Sequence, residues 1–290
     1  MWKKRQDVIR EYYEVLNKTD RLNTQFKIID DNVLFPSIVS ISARPSVGKS
    51  LLVEQIGHAF VRNKFRWLSC QLELSPYEII KREIVYNNVS KNNVNNYFIK
   101  TLNNPIDVVE MLSINNLYHT IDRYRQQYPN DKILVTIDHL FLIAGTENGK
   151  NLQPVFSDLV KLKKQGIYLI VLSHLKRDIY LPERCKEGHV NNRILENDIY
   201  MSDTILQYCD LSFAMDIPYR RGITLYSDAK VPVKKNNIIF STLKNRNGDR
   251  LTYLYEINEN LNFSFISYID DTGEAPKLEK ASEPIDDEIF

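Results

Sequence analysis

Along the chain, short stretches dense in apolar and β-branched residues alternate with longer ones in which apolar positions recur every three or four residues. The short stretches lie at 38–41, 66–71, 132–138, 167–173 and 210–216. Their nearly continuous apolar character is that of strands buried on both faces, as in a parallel sheet. Helical periodicity begins at Leu51, recurs at 151–164 through Leu152, Val155, Phe156, Leu159 and Leu162, and predicts one long helix over 106–128. That helix would carry Val108, Val109, Leu112, Leu117, Ile121 and Tyr124. Ser75 and Glu78 form the capping box of a further helix, with Pro76 at its first position. The alternation predicts an α/β fold, a central mostly parallel sheet flanked by helices. Near its end, 236–243 and 251–257 bracket K-N-R-N-G-D-R at 244–250 and predict an antiparallel hairpin with a tight turn at Asn247 and Gly248.

Three segments stand outside this frame. Val8, Ile9, Tyr12, Val15 and Leu16 mark a helix within 4–17, whose apolar side packs either on its own domain or on a neighbouring subunit. Residues 175–198 carry Lys176, Arg177, Arg184, Lys186 and Arg193 with little periodicity, the character of a functional or disordered loop. From 270 onward eight acids face two lysines, with Pro276 and Pro284, which predicts a disordered tail. The expected organisation is a linker-type helix at 1–21, one domain at 22–269 and an acidic tail at 270–290.

Composition narrows the class only a little. An apolar content of 43% and a charged content of 26% are those of a globular protein. With a net charge of +1 there is no global basic field, so any contact with nucleic acid rests on local loops. Cys70, Cys185 and Cys209 lie far apart with no C-x-x-C pair, which speaks against a disulfide frame or a zinc site. No apolar run has the length of a membrane span and none resembles a signal peptide, so the expected location is cytoplasmic, away from membranes.

The chemistry concentrates in I-V-S-I-S-A-R-P-S-V-G-K-S at 38–50, a strand, a loop and the start of a helix. Gly48 lets the backbone curl around a phosphate, Lys49 reaches β- and γ-phosphates, and Ser50 offers a hydroxyl to Mg²⁺. The usual pattern has glycine where Ala43 stands, and a plain Gly-Lys-Ser turn before a helix is the competing explanation. Downstream residues favour the phosphate loop. Glu73 follows the second strand, Asp138 ends the fourth, and His174 directly follows the next, all where open α/β sheets bind ligands. Glu73 suits a water-polarising base and Asp138 a carboxylate behind Mg²⁺. Each also has a bland explanation as a surface or hydrogen-bonded residue.

Together these positions resemble the RecA-like ATPase domain of DnaB-type replicative helicases, over roughly 22–257. A-R-P-S-V-G-K-S at 43–50 (Ala43, Arg44, Pro45, Ser46, Val47, Gly48, Lys49, Ser50) is the form that family's loop takes. L-E-L-S at 72–75 is similar to its S-L-E-M-S segment and implies that Glu73 is the catalytic glutamate. T-I-D-H-L-F-L-I at 136–143 resembles its Walker B segment and implies that Asp138 is Mg²⁺-associated. L-S-H-L-K-R at 172–177 puts His174 where the family has a glutamine sensor, and K-N-R-N-G at 244–248 implies that Arg246 is an arginine finger beside Lys244. The resemblance implies ATP or another NTP with Mg²⁺, a homo-hexamer, single-stranded DNA at a replication fork, and 5′→3′ travel.

The departures from the family's pattern are specific. The segment corresponding to its DNA-holding loop reads D-I-Y-M-S-D-T-I-L-Q at 198–207, with Tyr200, Met201 and Asp203 replacing Arg, Glu and Gly. Arg177, Tyr200 and Ser202 remain candidate DNA contacts, Tyr200 by stacking. The family's primase-recruiting N-terminal domain has no counterpart, a shortened form suited to a phage or mobile element in a bacterial cell. The tail is a candidate docking peptide for primase, loader or polymerase. The competing expectation is a RecA-like ATPase that does not unwind, a recombination mediator or a nucleotide-switched assembly factor.

Overall fold

The computed structural model describes residues 22–33, 36–71, 75–87, 89–110, 116–138, 140 and 152–269. The expected N-terminal helix and acidic tail lie outside them. After a helical turn at Lys27–Asp30 come β1 (Ile38–Ala43), α1 (Lys49–Arg62), β2 (Phe65–Gln71), α2 (Pro76–Tyr86), α3 (Val94–Thr101) and β3 (Ile106–Glu110). There follow α4 (Leu117–Gln127), β4 (Lys132–Asp138), α5 (Gln153–Lys164), β5 (Ile167–His174), α6 (Ser202–Tyr208) and β6 (Leu211–Asp216). A two-residue ladder, β7 (Leu225–Tyr226) with β8 (Val231–Pro232), precedes β9 (Asn237–Asn245), β10 (Thr252–Ile257) and β11 (Phe263–Ile269).

The main sheet runs β11-β10-β9-β6-β1-β5-β4-β2-β3. From β6 to β3 every pairing is parallel, and β9, β10 and β11 add antiparallel strands at the other edge. Successive residues of a strand face opposite sides, and both sides are covered. Ile38, Val135, Ile137, Leu169 and Val171 pack under α4 and α5 through Ile121, Phe156, Leu159 and Leu162. Val39, Ile41, Leu134, Ile170 and Leu172 pack under α1 through Leu52, Ile56 and Phe60. Two-sided burial is why these strands read as unbroken apolar runs. The capping box is present: Ser75 N–H donates to Glu78 Oε2 at 2.9 Å, and Glu78 N–H to Ser75 Oγ at 3.4 Å.

Two local expectations are corrected. The long helix over 106–128 is instead β3 followed by α4. Ile106 and Val109 contribute to opposite faces of the sheet, and β3 completes its parallel edge against β2. The β9–β10 connection spans 246–251 rather than a two-residue turn. It is braced by Asn245 Nδ2, which donates to Asp249 O at 2.9 Å and to Asn32 Oδ1 at 2.7 Å.

The polar segment after β5 is ordered by buried charge. Arg184 makes paired bonds of 2.7 Å to both oxygens of Asp198. Arg221, fully buried, joins Asp216 and donates to the carbonyls of Ile179, Arg184 and Asn192. Bidentate guanidinium contacts of this kind fix loop geometry without an apolar core.

One buried acid gives a stability prediction. Glu54 of α1 lines a cavity of about 250 Å³ with His58, Trp67, Glu83 and Phe98, and burial, then Glu83, pushes its carboxyl from 4.5 up to about 8. The folded state therefore keeps a proton that the unfolded chain has released, so stability falls as pH rises from 4.5 through about 8. Thermal unfolding should show wild type losing about 2–4 °C more than Glu54→Gln between roughly pH 7 and pH 9, the shift corresponding to about 1 kcal/mol. Parallel pH profiles of the two proteins would remove Glu54 as the source.

Candidate functional site

β1 ends at Ala43, and a five-residue loop, 44–48, leads into Lys49, the first residue of α1. Gly48 has φ 101°, a left-handed backbone that glycine adopts without strain. A Cβ there would meet only Phe263, at 3.8 Å, so backbone angle rather than space demands glycine. Val47 is buried beneath the loop, while Pro45 and Ser46 are exposed. Arg44 Nη1 donates to Leu175 O at 2.8 Å, tying the loop to the chain beyond β5. The 14-residue α1 aims its N-terminal N–H groups and positive dipole end at this loop, which is the setting for an anion.

Neighbouring strand ends complete the site. Ser50 Oγ donates to Asp138 Oδ2 at 2.8 Å, and Asp138 is buried at the tip of β4. Lys49 Nζ donates to Ser173 O at 2.9 Å and lies 3.4 Å from His174 Nδ1. Burial first, then the Lys49 charge, lowers the His174 pKa, which favours a neutral imidazole beside the lysine. Tyr200 N–H donates to His174 O at 3.0 Å, so the backbone at the tip of β5 is bonded to the segment before α6. Lys49, Ser50, Asp138 and His174, chosen from sequence, thus meet at one sheet edge. Glu73 falls within 72–74, outside the described residues.

A residue that the sequence reading passed over also reaches the loop: Arg220 Nη1 donates to Ser46 O at 2.8 Å. Its signal was the Arg220–Arg221 pair just past β6, whose C-terminal end shares the edge of β1. Arg221 turns inward to Asp216, and Arg220 turns to the loop.

Lys244 and Arg246 lie at the other end of the sheet. Parallel pairing sets Leu211 beside Val39 and Met215 beside Ala43, while antiparallel pairing sets Asn245 opposite Leu211. Arg246 is therefore beside the start of β1, a strand length of roughly 17–20 Å from the phosphate loop of its own chain. Its side chain is 47% exposed and contacts Asp210 and Gln207 O. Burial, then Arg246, lowers the Lys244 pKa. Of the candidate DNA contacts, Arg177 and Tyr200 are exposed and Ser202 is buried at the start of α6.

No family model matches the sequence, and no curated protein does. Among solved structures, the ATPase domain of another helicase superposes with a TM-score of 0.74 at 20% identity, covering 91% of this chain and 99% of that one. A DnaB-like replicative helicase, solved in a study of its interactions with primase, gives 0.70 at 18% identity, covering 91% of this chain and 67% of that one. The fold is RecA-like α/β. Within that class, its arrangement is that of a DnaB-type helicase ATPase domain.

The residues present fit Mg²⁺ arriving with a triphosphate. Among the described residues no group of three or more His, Cys, Asp or Glu could hold an ion by itself. Ser50, its proton directed to buried Asp138, keeps oxygen lone pairs for such an ion. No described helix is long and apolar enough to cross a membrane.

Proposed function

We propose that this protein is an ATP-hydrolysing replicative DNA helicase that works as a homo-hexameric ring on single-stranded DNA. The observation that carries this is the division of the site: phosphate-binding groups sit at one sheet edge and the exposed Arg246 at the opposite edge. A guanidinium so far from its own loop completes an active site only on another copy, and a head-to-tail contact of that kind closes into a ring. The exposed apolar residues Tyr77, Ile80, Val85, Ile99 and Leu102 of the α2–α3 region supply a face for packing between copies.

In the working site Lys49 holds the β- and γ-phosphates, while Ser50, backed by Asp138, holds Mg²⁺. The ion neutralises charge between those phosphates. Glu73 orients the attacking water. Arg246 from the next copy, with Lys244 beside it, meets the charge that develops on the transferred phosphoryl group. His174, bonded through its carbonyl to Tyr200, passes the state of the γ-phosphate to the segment before α6, where Tyr200 stacks on a base and Arg177 meets backbone phosphate. The acidic tail serves as a docking peptide for a primase, loader or polymerase.

The test is strand displacement on a forked duplex with ATP and Mg²⁺. Wild type should separate the strands, 5′→3′, and Lys49→Ala and Arg246→Ala should not. Hydrolysis by wild type without separation would leave the second reading, a RecA-like ring that does not unwind. Tyr200, Met201 and Asp203, standing where the family has Arg, Glu and Gly, favour that reading. ATPase activity indifferent to single-stranded DNA would support it.

A further inference from the structure

The C-terminal turn of α6 is capped from outside the helix. Cys209 N–H takes the Ile205 carbonyl at 3.1 Å. The next carbonyl, Leu206, accepts from Lys244 Nζ, and that of Gln207 accepts from Lys244 Nζ at 3.3 Å and from Arg246 Nη2 at 2.6 Å. A helix end leaves carbonyls without intrahelical donors and carries negative dipole charge, so two cations there stabilise the last turn.

Asp210 sets where those cations stand. Its buried carboxylate accepts from Ile38 N–H at 2.8 Å and Lys163 Nζ at 2.6 Å through Oδ2, and faces Arg246 Nη1 at 3.4 Å through Oδ1. Its carbonyl accepts from Arg246 N–H at 2.9 Å. Backbone and guanidinium of Arg246 are thus both referred to Asp210, itself pinned to the first residue of the strand that carries the phosphate loop. At the other end of α6, Met201 has a left-handed backbone and follows Tyr200, which is bonded to His174 O.

We infer that Asp210 is the positioning residue for Arg246, and that the Leu206 and Gln207 carbonyls compete with a neighbouring copy's triphosphate for Lys244 and Arg246. The inference rests on the action of Arg246 in trans proposed above. When the triphosphate takes the cations, the last turn of α6 loses its caps. One helix is then biased from both ends, by a neighbour's nucleotide through Arg246 and by its own through His174.

Hydrogen exchange on the full chain, with and without a slowly hydrolysed ATP analogue and Mg²⁺, tests this. In wild-type rings the analogue should speed exchange in the last turn of α6 by about threefold to tenfold, the effect of losing two favourable helix-end charges. In Arg246→Ala the same amides should respond much less to the analogue. Asp210→Asn should lower kcat by up to about 10²-fold with KM for ATP nearly unchanged, the split expected when a group is misplaced around bound substrate. Exchange in α6 indifferent to the analogue, in rings whose turnover Arg246→Ala abolishes, would overturn the competition. An unchanged kcat in Asp210→Asn would overturn its positioning role. Should Asp210→Asn fail to fold, the exchange comparison of wild type with Arg246→Ala still decides the competition. Full turnover by Arg246→Ala would overturn the trans reading itself, and this inference with it.

Discussion

Arg246→Ala is expected to slow ATP turnover in assembled rings by on the order of 10³-fold or more, the range for arginine fingers. The physical reason is that charge develops on the γ-phosphoryl group in a site shielded from water, where one preorganised cation counts for far more than in solution. Binding of ATP should change little, because the loop, Lys49 and Ser50 belong to the other sheet edge and to another copy's surface. The split matters more than the size: kcat falls and nucleotide affinity stays. Local stability should also change little, since the side chain is about half exposed and its contact with Asp210 is 3.4 Å long. Single-turnover hydrolysis alongside equilibrium binding of a fluorescent ATP analogue checks both halves. Loss of binding equal to the loss of rate would place Arg246 in its own chain's site.

Lys49→Ala is expected to have the complementary signature, a loss of both binding and turnover, the latter by at least about 10²–10³-fold, as for removal of one preorganised donor. Lys49 is 9% exposed, and its ammonium is held by Ser173 O at the tip of β5. That places the charge between the loop and His174, ready for the phosphates of its own nucleotide. The same binding and single-turnover measurements apply. Normal affinity in Lys49→Ala would mean that the loop does not cradle the triphosphate.

The parts of the fold that were legible share one physical property. β1, β4 and β5 are buried on both faces, so their sequences are unbroken apolar runs, and the polar residue that breaks each run, or follows it, marks the sheet edge where ligands bind. Asp138 and His174 were visible for that reason. β3 was not, because Val108 and Val109 fit a helix period as well as an extended one over so few residues. β11 did carry a signal: in F-S-F-I-S-Y-I, Phe263, Ser267 and Ile269 are buried and Ser264 and Ile266 exposed. It lies between the hairpin and the acidic tail, and its alternation went unrecognised. The order of 175–199 was illegible because long-range ion pairs hold it. Nothing in the local sequence says that Arg221 is buried against Asp216 or that Arg184 meets Asp198.

The site divides in the same way. Its near half, Lys49 through His174, follows from strand ends and a loop pattern. The far half, Lys244 and Arg246, was named from its resemblance to a family motif. Its position at the opposite sheet edge follows from strand pairing that no single stretch of sequence contains. Arg220 belongs to neither half and is linked to the loop only by the turn after β6.

The claim that each site is built from two copies is tested most directly by mixing Lys49→Ala with Arg246→Ala, each inactive alone. In rings assembled at random from equal parts, about a quarter of the composite sites pair an intact loop with an intact finger. The account predicts that ATPase activity returns on mixing, in proportion to those sites. Mixed rings that form, bind nucleotide and remain as inactive as either variant alone would contradict it.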